Sequence, residues 1–510
     1  MMDTLGLPPI IIDALIFMVL LFIFAIGIGV LCLIYMYLVD VNQTAHAVRR
    51  NFPVLGRGRY WMEHLGVFFR QYFFANDREE MPFNREQRSY VYRAAKGVDT
   101  TLAFGSTRSL RETGAILFAN SPFPSLKEDA TEPQAVEIGP YCEKPYVTKS
   151  IFNISGMSYG ALSGVAIESL STGAKAAGAW MNTGEGGLSP AHLKGGCDIV
   201  YQIGTAKYGV RDENGDLCDK RLKELANKDV VRMFELKLSQ GAKPGKGGIL
   251  QGVKVNKEIA AIRGIPEGTD SISPNRHKDI KTPCDLLDMI ERIRKVTGKP
   301  VGFKAVMGGF DWLDELFLLI RERGIEHAPD FITVDSADGG TGAAPVSLLD
   351  YMGIPVWESL PRLVDLLRAY DLRDRIKVIA SGKLITPADA AWALSMGADF
   401  AVSARGFMFS IGCIQALQCN KNTCPTGITT HDKKLQAGLV PAEKSVRAQR
   451  YIEHMHYEIG MISHSCGVRE PRQLQRSHAL IIGSDGRPKQ MSEIFPDVEV
   501  GSALAPKAAE

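Results

Sequence analysis

The feature that most restricts the fold is a regular alternation, between residues 150 and 403, of short β-rich runs with amphipathic stretches long enough to serve as crossover helices. The runs are 151–155, 179–182, 199–202, 233–237, 301–306, 331–335, 377–381 and 400–403, and most end in Gly, Ser, Asp or Asn. Stretches such as 361–370 and 388–394 lie between them. Eight strand–helix units over about 255 residues is the count of a closed (β/α)8 TIM barrel of the α/β class. An open doubly wound sheet is the competing arrangement; against it, no G-x-G-x-x-G directly follows a strand.

A barrel of this kind builds its active site from the loops at the C-terminal ends of its strands. Those loops carry the chemistry-rich segments here: ISGMSYGALSG, NTGEGG, SQGAKPGKGG, DSADGGTGA, SGKL and SARG. Glycines at 339, 340, 342, 382 and 406 allow backbone N–H groups to approach a phosphate without Cβ obstruction, so a phosphorylated cofactor is expected. A single such glycine is equally an ordinary turn residue.

Ahead of the barrel, residues 14–39 carry no charge, and about 26 residues cross a ~30 Å hydrocarbon core with some tilt. A transmembrane helix is expected there, following a short extracytoplasmic N-terminus at 1–13. A cleaved signal peptide needs a basic leading region, whereas only Asp3 and Asp13 precede the run. Arg49, Arg50, Arg57 and Arg59 follow it, which predicts a single-pass protein of the cell membrane with its catalytic domain in the cytoplasm. Residues 60–74 are unusually aromatic and suit either the headgroup boundary or packing on the barrel. Residues 40–149, with scattered prolines, read as an irregular juxtamembrane lead-in, and 436–510 as a C-terminal helical segment near 443–460 and a polar tail. Lys+Arg 59 against Asp+Glu 57 leaves a net charge of +2, which argues against a nucleic-acid partner.

Six of the nine cysteines are scattered, while Cys413, Cys419 and Cys424 form C-x5-C-x4-C-P. This is neither the zinc-knuckle nor the ferredoxin spacing. Three thiolates suit a three-iron cluster; Cys3His zinc through His431, or three unrelated buried thiols, are the alternatives.

The stretches ISGMSYGALS, NTGEGG, the QGAKPGKGG run at 240–248, DGGTGA at 338–343 and the cysteine segment together resemble the FMN-binding synthase domain of glutamate synthase, over about residues 150–435. The resemblance implies a barrel holding FMN beside a [3Fe–4S] cluster, with Cys413, Cys419 and Cys424 as its ligands. It further implies condensation of ammonia with 2-oxoglutarate and reduction of the imine to glutamate. Carried over by motif, Met157 and Ser158 lie against the flavin, Gln202 near its polar edge and Lys304 near N1 and O2, where a fixed cation stabilises the anionic reduced ring. Gly339, Gly340, Gly342, Gly382 and the backbone at Ala404 and Arg405 hold the phosphate. Lys243 and Arg263 bind the 2-oxo acid carboxylates, and Glu185 stands at the reaction centre with Lys243, handling a proton or positioning ammonia.

The departures from the family pattern concern the substrate. Ile249 stands where glutamate synthases usually carry a Gln, and ISPNRHKD adds Arg276 and His277. The sequence shows no glutaminase domain ahead of the barrel and no β-helical domain behind it, so ammonia is expected to arrive free or from a partner. The anchored form is similar to the single-domain, membrane-attached glutamate-synthase-like proteins of bacteria. Three functions are therefore expected candidates: glutamate formation, the same cofactors acting on another 2-oxo acid or an amine to give an N-alkyl glutamate, and a non-catalytic membrane electron-transfer partner. No nicotinamide fingerprint appears, so a separate electron donor is expected: ferredoxin, a reductase or a quinone-linked pathway.

Overall fold

A computed structural model describes residues 8–505. The first seven residues of the expected extracytoplasmic segment, and 506–510 of the tail, lie outside the described residues. The chain divides into two compact units, Met1–Glu86 and Gln87–Glu510. The first contains α1 (Pro9–Asn42), α2 (Ala47–Asn51) and α3 (Leu55–Phe69), the last continuing into a π-helical turn, Arg70–Phe74. By length and composition α1 is the one described helix able to cross a membrane.

The second unit is built on a closed, all-parallel barrel of eight strands: β1 (Phe152–Ile154), β2 (Trp180–Asn182), β3 (Asp198–Ile203), β4 (Val231–Lys237), β5 (Val301–Val306), β6 (Phe331–Asp335), β7 (Lys377–Ser381) and β8 (Phe400–Ser403). The last four match the expected runs residue for residue, each being a mainly apolar run with a turn-forming residue at its end or within two positions beyond it. Crossover helices are started by their own sequence: Thr282-Pro-Cys-Asp285 and Thr386-Pro-Ala-Asp389 each place a Thr cap and an Asp in reciprocal hydrogen bonds around an N-terminal proline.

The lead-in is more ordered than its prolines suggest. Val136–Ile138 and Tyr146–Thr148 form a hairpin whose Ile138 and Tyr146 pack with Trp180, Met233, Phe331, Ile379 and Phe400 in one buried cluster at the start of the barrel strands. This plug closes the N-terminal mouth and leaves the C-terminal end for the site. Ile116–Phe118 pairs antiparallel with Ala479–Ile482, which also pairs with Pro488–Gln490, so the expected polar tail includes a sheet edge. The expected C-terminal helix is present and longer, α4 (Pro441–Ser465).

Candidate active site at the open end of the barrel

Parallel pairing carries the strand ends to one rim, and three polar groups assemble there. At the centre, Gln202 lies in register with Glu235 of β4. Glu235 Oε1 accepts from Gln202 Nε2 at 2.6 Å and Asn182 Nδ2 at 2.8 Å, and its Oε2 accepts from Thr333 Oγ1 at 2.6 Å. A carboxylate only accepts, so this contact fixes which end of the Gln202 amide faces it. Met157 is buried and Ser158 half-buried on the loop after β1, with Gly184 lying against their backbone.

Beside this hub, Lys237 at the end of β4 pairs with Glu185 at 2.9 Å. Burial by itself pushes the Glu185 carboxyl upward; Lys237, Lys243 and Arg263 more than reverse this, holding it below the ordinary carboxylate value. Gly248 is needed here, since a Cβ on it would stand 2.1 Å from Glu185 Oε1. Lys243, 5% exposed, reaches the Ala343 carbonyl at 3.4 Å, and burial lowers it to about 8. Arg263 is buried, donating from Nη1 to Ser271 Oγ at 2.9 Å and from Nη2 to the Tyr159 carbonyl at 3.0 Å, while its buried Nε has no partner. Glu185, Lys243 and Arg263, far apart in sequence, thus share one electrostatic pocket. Arg276 does not join it: its Nη1 donates to the carbonyls of His277, Lys278 and Ile280. His277 is buried, its Nε2 3.1 Å from the Lys237 carbonyl.

Lys304 lies 3.2 Å from Asp335, which also accepts from Ser381 Oγ and the Gly241 N–H. Burial raises the Asp335 carboxyl; Lys304 and these two donors bring it below its usual range. Further along the rim, Gly382 has φ +119° and a Cβ on it would stand 2.2 Å from Ser336 Cβ. Gly339 is packed beneath Gly241, whereas Gly340 and Gly342 are exposed. Arg405, which follows the helix cap Ala404, donates from Nη2 to the Asp338 carbonyl at 3.3 Å, and Lys383 pairs with the Asp338 carboxylate at 2.9 Å. Two cations beside a glycine cradle suit a phosphate.

Cys413, Cys419 and Cys424 lie close enough to influence one another electrostatically, though among the described residues no three Cys, His, Asp or Glu side chains stand at metal-binding spacing. Burial lifts the Cys413 thiol to about 12, while hydroxyl bonds from Thr426 and Thr429 outweigh burial and lower Cys424. His431 Nε2 is 2.9 Å from the Gly160 carbonyl. Lys254, 2% exposed, donates to the carbonyls of Ala161 at 2.8 Å and Cys419 at 3.2 Å, tying the loop after β1 to the cysteine segment. Burial raises Cys419 as well, so of the three thiols only Cys424 is held below its ordinary value; what the segment offers a thiolate-bound cluster is three cysteine side chains with the buried Lys254 cation beside them.

Sequence reading missed Glu235, Lys237, Asp335 and Lys254. A Glu in the middle of an apolar strand that must be buried on both faces was the available signal for Glu235; nothing in GVKVNK marks Lys254.

The conserved region in glutamate synthase matches residues 118–469. The chain belongs to the glutamate synthase family. This family member is 39% identical over 500 residues to the glutamate synthase large subunit-like protein YerD of Bacillus subtilis, covering 90% of this chain and 94% of that one. It is 33% identical over 333 residues to the archaeal glutamate synthase [NADPH] of Methanocaldococcus jannaschii, covering 63% of this chain and 60% of that one. The chain thus spans under two thirds of the archaeal enzyme's length. On family membership the protein is an oxidoreductase. Among solved structures, a flavocytochrome b2 mutant with pyruvate bound is similar at TM-score 0.45 and 16% identity, covering 82% of this chain and 85% of that one.

Proposed function

We propose that the protein is an FMN- and iron–sulfur-dependent oxidoreductase that reduces the imine of 2-oxoglutarate and ammonia to L-glutamate. The observation carrying this reading is the pocket of three cations, Lys237, Lys243 and Arg263, around the single carboxylate Glu185. Its excess of two positive charges complements a dicarboxylate dianion. FMN, when bound, would supply hydride for the imine carbon, and a three-iron cluster would return single electrons to the flavin. Gln202, oriented by Glu235, and Lys304 are the residues to hold the isoalloxazine, with Met157 and Ser158 against its face. Gly339, Gly340, Gly342, Gly382 and Arg405 are those to hold the phosphate, and Cys413, Cys419 and Cys424 the cluster. Lys243 and Arg263 bind the carboxylates, Arg263 with its unpartnered Nε. Glu185, kept ionised by its three cations, accepts N–H from the incoming ammonia and orients it toward the oxo carbon.

One observation favours a second reading. Ile249, 42% exposed, follows the glycine packed on Glu185, so an apolar surface adjoins the amine side of the pocket. An alkylamine in place of ammonia, giving an N-alkyl glutamate, would use it. Arg276, tied to its own loop, lends that reading no support. In both, α1 anchors the protein in the cell membrane with the barrel in the cytoplasm, and electrons come from a ferredoxin, a reductase or a quinone-linked donor.

The test is anaerobic. The detergent-purified protein, its flavin reduced, is mixed with 2-oxoglutarate alone, then with ammonium or methylammonium, while flavin absorbance near 450 nm and the amino acid product are followed. Reoxidation requiring both 2-oxoglutarate and ammonium, with glutamate formed, supports the first reading. Reoxidation only with the alkylamine selects the second, and no reoxidation with either overturns both.

A further inference from the structure

We propose that α3 and the π-helical turn after it form a membrane-interface element, lying in the headgroup region of a bilayer with an aromatic stripe turned toward the acyl chains. The proposal rests on the reading that α1 crosses that bilayer.

Asp40, in the last turn of α1, is fully buried. It accepts from Arg49 at 2.8 and 3.0 Å, from Arg57 Nε at 2.8 Å and from the Val54 N–H at 3.0 Å. Gly56 lies so close to α2 that a Cβ would stand 2.8 Å from the Val48 carbonyl. The chain after the span is thus folded back and clamped, and α3 starts within one ion pair of the end of α1. A helix clamped there begins at the bilayer surface.

From that start, Trp61, Leu65, Phe68 and Tyr72 recur at i, i+4, i+7 and i+11, one stripe of a helix. Arg59, Glu63 and Arg70 occupy another face, with Arg59 and Glu63 paired at 3.2 Å. Within its own unit the stripe stays open: Trp61 is 63%, Phe68 51% and Tyr72 50% exposed. An apolar stripe of this length left to water is costly. The charges at 57, 59, 63 and 70 keep the ~30 Å segment from spanning the bilayer itself, whereas aromatic rings on one face and arginines on the other match the chemistry of the headgroup boundary. Continuity with the clamped end of α1 makes lipid, rather than a second copy of the chain, the occupant.

Full-length protein is reconstituted in phosphatidylcholine–phosphatidylglycerol vesicles whose acyl chains carry bromine either near the headgroup or near the methyl end. Trp61 is one of five tryptophans, so its emission is taken as the difference between the native chain and Trp61→Phe. The expected result is about twofold quenching by the shallow bromines and clearly less by the deep ones. A chain that floats with the vesicles while Trp61 is quenched by neither, as it would be if covered by a second copy, overturns the interfacial element and leaves the anchor standing. Strongest quenching by the deep bromines overturns it too, by showing insertion. A chain that does not float removes the anchor and this inference together.

Discussion

Glu235 shows how much a single acceptor-only side chain can organise. Three donors from three other strands converge on it, and replacing it with an apolar residue leaves the buried amides of Asn182 and Gln202 without their partner. Glu235→Leu is expected to cost about 3 kcal/mol in denaturant unfolding and at least about tenfold in FMN affinity, followed by flavin fluorescence. Glu235→Gln, which can keep one oxygen for both amides and donate to Thr333, should retain most of both. Lys243 makes a pH prediction. Burial depresses it to about 8, so in the free protein it is a cation below that pH and neutral above it. The KM for the 2-oxo acid should therefore rise as pH passes through about 8, and Lys243→Arg, whose group stays charged, should flatten the rise.

Loops, rather than strands, carry the finer constraints at the scale of the element. The turn after β7 depends on Gly382, whose φ of +119° and contact with Ser336 leave no room for Cβ. Gly382→Ala should destabilise the fold by about 3 kcal/mol and release FMN on gel filtration, both measurable on one preparation. In the cysteine segment Gln415, Leu417 and Asn422 all have positive φ, a conformation that side chains other than glycine hold only when surroundings impose it. Cys419→Ser should remove most of the iron and the cluster's visible absorption while flavin content is kept; iron content equal to the native protein would sink the cluster assignment. The spacing of the three cysteines was legible in the sequence, whereas Lys254 beside them was not, because its position depends on a loop from elsewhere in the chain.

For the whole molecule, acid should be the sensitive condition. Burial lowers His192 to about 3 and His277 and His456 to about 4, below the 6.5 of a free imidazole. Between pH 6.5 and 4 the unfolded chain thus binds up to three more protons than the folded one. Stability is fully present above 6.5 and is lost as pH falls, by up to ~4 kcal/mol per pH unit. Urea melts of the full chain at pH 7, 6 and 5 check both the sign and the steepness.

The sequence by itself determined the class of fold and the approximate position of every barrel strand. Period, β-branched runs and turn residues are local properties, and eight such units close in few ways. The apolar run 14–39 was equally legible, because length and absence of charge are read directly. Only the tertiary structure decided which charges meet. Lys304 with Asp335 and Glu235 with Gln202 pair across neighbouring strands, and Lys237 at a strand end pairs with Glu185 in the turn after β2. Barrel register, not sequence neighbourhood, sets those distances. It also separated Arg276 from the pocket and drew the lead-in hairpin beneath the barrel, since a hydrogen bond or a buried contact belongs to two segments at once and neither carries it alone.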